Sequence, residues 1–171
     1  MDTVDSGQPQ SLLQVYKPLL IIVGVLLLST YALAAHDGSM GFTDWHAAMQ
    51  NFMAGFFVTF STLKLLDVRG FANGYAKYDL FASRVHAYGF IYPFLELALG
   101  LLYMTRTELF TTNVATLLLM TFSGLGVVSK LRKKEKFQCA CLGTMIKVPL
   151  TSITLVEDFG MALMALLMLS L

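Results

Sequence analysis

Charge is scarce in this chain. Asp, Glu, Lys and Arg make up only 13% of its 171 residues, where an average soluble domain carries about 25%. Few charges, set against many apolar residues, exclude a disordered chain. The same composition excludes collagen and coiled-coil architectures. There are only two cysteines, which excludes a disulfide-scaffold mini-protein. The formal net charge is +1, so the total offers no case for a nucleic-acid partner. The histidines are three, at positions 36, 46 and 86, scattered over different connections and forming no metal motif. No nucleotide or haem motif, internal repeat or low-complexity tract is present.

What fills the chain is apolar. Hydrophobic residues reach 56% and the mean hydropathy is +0.66. Aromatics reach 12%, with 13 Phe and 7 Tyr, and there are 10 Met. This is the composition of a membrane protein, and the length suits one domain.

A membrane-crossing helix needs about 20 mostly apolar residues. Five segments approach this: Pro18 to Ala35, His46 to Leu66, Tyr88 to Met104, Leu109 to Val128 and Leu150 to Leu171. The last carries Glu157 and Asp158 and is either a full span or a re-entrant one. Backbone polar groups in lipid must bond internally. The expected fold is therefore an all-α integral membrane protein, a compact bundle of four to five transmembrane helices. Residues 1–17 read as a polar N-terminal segment and 18–171 as a single helical bundle. The first apolar run is too long for a signal peptide and no clear cleavage site follows it, so it reads as a retained helix. The mixed connection from Asp67 to Ala87 accommodates a short interfacial helix.

Orientation follows from Lys and Arg. Lys17, then Arg69, Lys77 and Arg84, then Lys130, Arg132, Lys133, Lys134, Lys136 and Lys147 fall on one face of a five-span bundle. The opposite face holds only Arg106. This places the N-terminus in the cytoplasm and the connection carrying Trp45 outward, where indole suits an interfacial anchor.

The two cysteines stand one residue apart, in FQCACLGT. Cys139 and Cys141 are close enough to form a disulfide or to bind one soft metal ion as thiolates. A CxC bridge closes a tight ring, and restrictive disulfide geometry makes such a ring strained. Strained bridges are more oxidising and more labile, which suits exchange better than stapling. Lys133, Lys134, Lys136 and Lys147 flank the pair, and cations favour thiolate over thiol. Zinc needs more ligands than these two. Cu(I) or Hg(II) accepts two thiolates, so metal transfer stays open. The plain alternative is a pair of small buried apolar residues, against which stands their position in a polar connection.

Ionisable residues inside spans are costly and mark functional sites by default. Four qualify: Lys64, Glu96, Glu157 and Asp158. Tyr88, Tyr92 and Glu96 are spaced four apart and share a helix face, with Pro93 set to kink that helix. A functional reading is a polar interior that steadies the cysteine segment or relays protons. A bland reading lets Glu157 and Asp158 pair locally. Lys64 is expected to snorkel to the interface. Glu96 requires a polar contact inside the bundle, and Lys64 is the cation best placed to supply it. Met161, Met164 and Met168 fall at helical spacing, which reads as core packing; thioethers also hold Cu(I).

At this point the residues resemble a family. The stretch FMAGFFVTFSTLKLLDVRGFANGYAKYDLFASRVHAYGFIYPFLELALG resembles the DoxX-like membrane proteins, in the branch that includes MauE. CACLGTMIKVPLTSITLVEDFGMALMALLML is similar to the MauE type itself. The distinctive pieces are LKLLD, YDLFASR, YPFLELALG, the CxCLG turn and PLT…VED, over about Gln50 to Leu171. The resemblance implies a bacterial inner-membrane protein of four or five helices. It implies a role near disulfide handling in methylamine dehydrogenase maturation, beside a thioredoxin-like partner. Some related chains are linked to heavy-metal handling, which implies a heavy-metal-associated partner instead. Onto matching positions it carries Cys139 and Cys141 as the redox pair, with Glu96 and Asp158 supporting them.

Three readings follow. The first is a thiol–disulfide redox membrane protein with a redox-active CxC disulfide. The second is a copper or mercury transport or delivery protein using the same cysteines. The third is a non-catalytic membrane assembly subunit. The charge rule puts the CxC segment on the cytoplasmic side, where stable disulfides are rare. That side is compatible with a segment that dips into the membrane, with a cytosolic dithiol as electron donor, or with metal exchange with the cytosol.

Overall fold

A computed structural model describes residues 12–36, 45–77, 79, 81–132, 138–139, 148–149 and 152–170. The described chain is helical: α1 (Leu12–His36), α2 (Trp45–Leu66), α3 (Val68–Tyr75), α4 (His86–Thr105), α5 (Leu109–Arg132) and, at the C-terminal end, α6 (Ser152–Ser170). Between α5 and α6 lie two short antiparallel strands, β1 (Gln138–Cys139) and β2 (Val148–Pro149), with Gln138 opposite Pro149 and Cys139 opposite Val148. The five long helices coincide with the five apolar segments, and α3 is the short helix expected in the connection after α2. The first helix begins at Leu12 rather than Pro18, because Leu12, Leu13, Gln14 and Lys17 are good helix formers. Among the described residues two helices, His86–Thr105 and Leu109–Ser129, are long and apolar enough to cross a membrane, fewer than the four to five spans expected.

The helices bury faces spaced three and four residues apart, as a 3.6-residue period requires. On α2 the buried line runs Gln50, Met53, Phe57, Phe60, Ser61, Lys64. On α4 it runs Gly89, Tyr92, Glu96, Leu99, Gly100, Tyr103. These two faces meet, while α5 packs against α6, and contacts from α4 to α5 and from α2 to α6 join the two pairs. α1 packs along α2. The joint core contains Met53, Phe57, Phe60, Tyr103, Met120 and Met161. Met164 and Met168 lie partly buried against it, so the methionine line packs the core as its spacing suggested. A second cluster gathers Phe71, Tyr75, Tyr92 and Val127 toward the α3 end.

Gly100 lets α2 and α4 touch. A Cβ there would stand 2.8 Å from Val58 Cγ2, 3.0 Å from Val58 N and 3.1 Å from Phe57 Cβ. The backbone nitrogen cannot rotate away, so Gly100→Ala must part the helices. Overpacking of this kind costs about 1–3 kcal/mol. The better helix propensity of Ala offsets up to about 1 kcal/mol of that. A net loss is expected, read as a lower midpoint of thermal unfolding; an unchanged or raised midpoint would show that the crossing is loose.

At the far end of the bundle from α3, Tyr103 Oη donates to Asn113 Oδ1 at 2.7 Å and lies 3.1 Å from Thr116 Oγ1, tying α4 to α5. The connection between these helices is short because Arg106 (φ 54°) and Glu108 (φ 49°) adopt left-handed conformations. Arg106 N–H donates back to Tyr103 O at 3.3 Å, closing the end of α4.

Candidate functional site

The buried ion pair of the core lies toward the end of the bundle where α3 lies. Lys64 comes from the last turn of α2 and Glu96 from the middle of α4. Lys64 Nζ stands 2.6 Å from Glu96 Oε1 and 2.5 Å from Oε2. Both side chains are sealed from solvent, with Lys64 5% and Glu96 4% exposed. Lys64 therefore does not snorkel, and that expectation is corrected. It lies on the face of α2 that α4 covers, one turn beyond Phe60, so its stem is packed inward and its charge meets Glu96. The partner expected for Glu96 is the one found.

The ammonium also faces aromatic rings, 5.4 Å from the centroid of Phe71 and 5.1 Å from that of Tyr92. Such cation–π contacts strengthen when water is excluded. Tyr92, one turn before Glu96, is 3% exposed and within hydrogen-bonding reach of the Glu96 carboxylate. Tyr88, a further turn back, is only half-buried. The expected Tyr88–Tyr92–Glu96 face thus exists, with its deep end on Lys64. Pro93 also lies inside α4, with no break in the helix.

Glu157 and Asp158 enter from α6 and face the same charges. Both lie within electrostatic range of Lys64 and Glu96. Asp158 reaches Ser123 of α5, which is also within hydrogen-bonding reach of Tyr92. Asp158 Oδ2 is buried with no hydrogen-bond partner among the described residues. Gly124 permits this approach of α6, since a Cβ there would meet the Phe159 ring at 3.0 Å and Asp158 Cβ at 3.5 Å. Lys64, Tyr92 and Glu96, all buried, and the partly buried Glu157 and Asp158 are thus gathered into one cluster, in which a single ammonium faces three carboxyl groups among the described residues. Unpaired buried charge is expensive, so a cluster of this kind marks a site more readily than a packing device. No group of His, Cys, Asp and Glu suited to a metal ion occurs among the described residues.

Sequence reasoning missed Phe71, Ser123 and Asp79. Ser123 carried one signal, a hydroxyl within an apolar helix. Asp79 is buried and organises the connection to α4: its Oδ1 accepts from Phe81 N at 2.9 Å and Ala82 N at 2.7 Å. Nothing in the pattern of the connection distinguished it from a solvated acid.

Of the cysteine pair, Cys139 lies on β1, whose backbone pairs with β2 and lies against α3. Cys141 and the flanking Lys133, Lys134, Lys136 and Lys147 lie outside the described residues. The structure thus brings the polar cluster and the cysteine strand to the same end of the bundle, with α3 touching both.

No curated protein and no solved structure matches the chain. Its residues 42–171 match the family described as methylamine utilisation protein MauE. That range takes in every element from α2 to α6, including the polar cluster and both cysteines, and leaves out α1. By this match over most of its length, the chain belongs to the MauE family.

Proposed function

We propose that this protein is an integral membrane thiol–disulfide redox protein that uses Cys139 and Cys141 to exchange disulfides or electrons with a partner protein. The observation that carries the reading is the CxC pair. It occurs in a chain of the MauE family, and its Cys139 lies on a strand at the end of the bundle where the buried charges gather. One thiolate attacks a partner disulfide and displaces a partner thiolate. The second attacks the mixed disulfide and displaces the other. The partner gains two electrons and two protons, and this chain is left with the Cys139–Cys141 disulfide. A thioredoxin-like protein is the partner class the pair suits.

The setting we infer is the bacterial inner membrane, crossed by α1, α2, α4, α5 and α6 with the N-terminus cytoplasmic. The Lys and Arg bias of the sequence supports the orientation, and the distribution of side chains supports the lipid setting. On α5 the polar Thr112, Asn113, Thr116 and Ser123 face inward, while Phe110, Leu118, Phe122 and Leu125 face outward and are 44–74% exposed. α1 shows Leu20, Ile21, Val25 and Leu28 at 56–68% exposure. Water would penalise so wide an apolar surface, whereas lipid suits it and sends polar groups to the interior. α2 is less apolar because its Gln50, Ser61 and Lys64 meet neighbouring helices instead of lipid.

The test is differential alkylation of Cys139 and Cys141 in intact cells, read by mass spectrometry after rapid acid quench, with and without an impermeant thiol reagent outside. A substantial disulfide fraction is expected, and the impermeant reagent reports which face the pair meets. Fully reduced thiols in all conditions would sink the redox reading. Cu(I) titration of the purified, reduced protein then decides between soft-metal delivery, which requires stoichiometric binding through both thiolates, and a non-catalytic assembly role.

A further inference from the structure

α3 is eight residues long, too short to persist as an isolated helix. Its position is therefore imposed by its neighbours. Asp67 caps it, its Oδ1 accepting from Gly70 N at 2.9 Å. Gly89 brings α4 against it, since a Cβ at Gly89 would lie 3.1 Å from Ala72 Cα. The Phe71 ring lies over the Lys64 ammonium and 6.0 Å from the Tyr92 ring. Tyr75 stacks on Phe71 at 5.1 Å and meets Tyr92 at 4.6 Å. Phe71 is only 1% exposed and is the one α3 residue seated on the Lys64–Glu96 pair among the described contacts. β1, the strand of Cys139, lies against this same helix. A two-residue strand cannot hold its own place, so β1 depends on what it rests on.

We propose that Phe71 is a positioning residue for the strand that carries Cys139: wedged onto the Lys64–Glu96 pair and Tyr92, it fixes α3, and α3 fixes the backbone of β1. The functional meaning of this link rests on the thiol–disulfide reading above, but the link itself does not. Truncating Phe71 opens a cavity beside buried charges. α3 then loosens from α4, β1 loses its support, and the backbone at Cys139 opens more often.

The experiment is alkylation of the full chain in lipid nanodiscs, fully reduced, by iodoacetamide, with separate rates for Cys139 and Cys141 from mass spectrometry. Phe71→Ala is expected to raise the Cys139 rate about tenfold relative to Cys141, because thiol access follows local opening. Phe71→Leu, which refills most of the volume, should return it toward the wild-type value. Leu101→Ala, on the exposed face of α4, should leave it unchanged. A Cys139 rate within about twofold of wild type in folded Phe71→Ala would overturn the proposal, because local opening would then be unaffected. Should Phe71→Ala fail to fold, Gly89→Val drives α3 off α4 without touching the ion pair, and the same two outcomes decide. The wild-type sample equilibrated with oxidised glutathione reads the redox function separately. A pair that stays reduced there removes the thiol–disulfide reading, while the alkylation rates still decide whether Phe71 positions Cys139.

Discussion

Glu96→Leu should destabilise the protein by about 3–5 kcal/mol, the cost of leaving one member of a buried ion pair without its counter-charge. Lys64 is 5% exposed and is held by both Glu96 oxygens. The Phe71 and Tyr92 rings also lie close to its ammonium, and they soften a cation without neutralising it. Glu157 and Asp158 feel its charge, yet no hydrogen bond from Lys64 to either occurs among the described contacts. Lys64→Met should be as damaging, since it leaves three carboxyl groups around an apolar stem. The double variant Lys64→Met/Glu96→Leu should recover part of the loss, because the two charges of the ion pair are removed together, while Glu157 and Asp158 stay behind without the ammonium. Unfolding in mixed micelles by increasing SDS measures all three. Additive losses in the double variant would show that the two residues act separately, against the geometry. Recovery of stability without recovery of thiol exchange would show that the pair is kept for function.

The second large effect concerns the cysteines. With both replaced by Ser, disulfide exchange with a thioredoxin-like partner should fall to background, since no thiolate remains to attack. The single variants should differ from each other. Loss of the resolving cysteine leaves the first step intact, so a mixed disulfide with the partner accumulates and survives on a non-reducing gel. Loss of the attacking cysteine leaves no adduct. Which of Cys139→Ser and Cys141→Ser traps the adduct then assigns the two roles. If neither single variant alters the redox state of the partner, the pair is not the exchanging centre. The assembly role predicts normal function in the double Ser variant, and the metal-delivery role predicts loss of Cu(I) binding in it.

The residues by themselves determined the helices. Apolar runs near the length of a membrane crossing, and buried positions repeating at three and four, are local properties of the chain. Tyr92 and Glu96 share a face because they are one turn apart, whatever surrounds them. The CxC pair was equally legible, because adjacency in sequence is adjacency in space. So was kinship with the MauE family, carried by contiguous motifs from LKLLD to VED.

Only the tertiary structure decided the rest. Whether Lys64 reaches for the interface or turns inward depends on which face of α2 is covered by α4, and its partner lies 32 positions away. The same holds for Ser123, which stands between Tyr92 and Asp158 only because Gly124 lets α6 close on α5. The short segment from Val68 to Tyr75 acquires its place from Gly89, Tyr92 and Lys64, none of which its own sequence can specify. Periodicity is written within a helix, but the pairing of faces is set by how helices pack against one another, and that is where the charges of this protein find their partners.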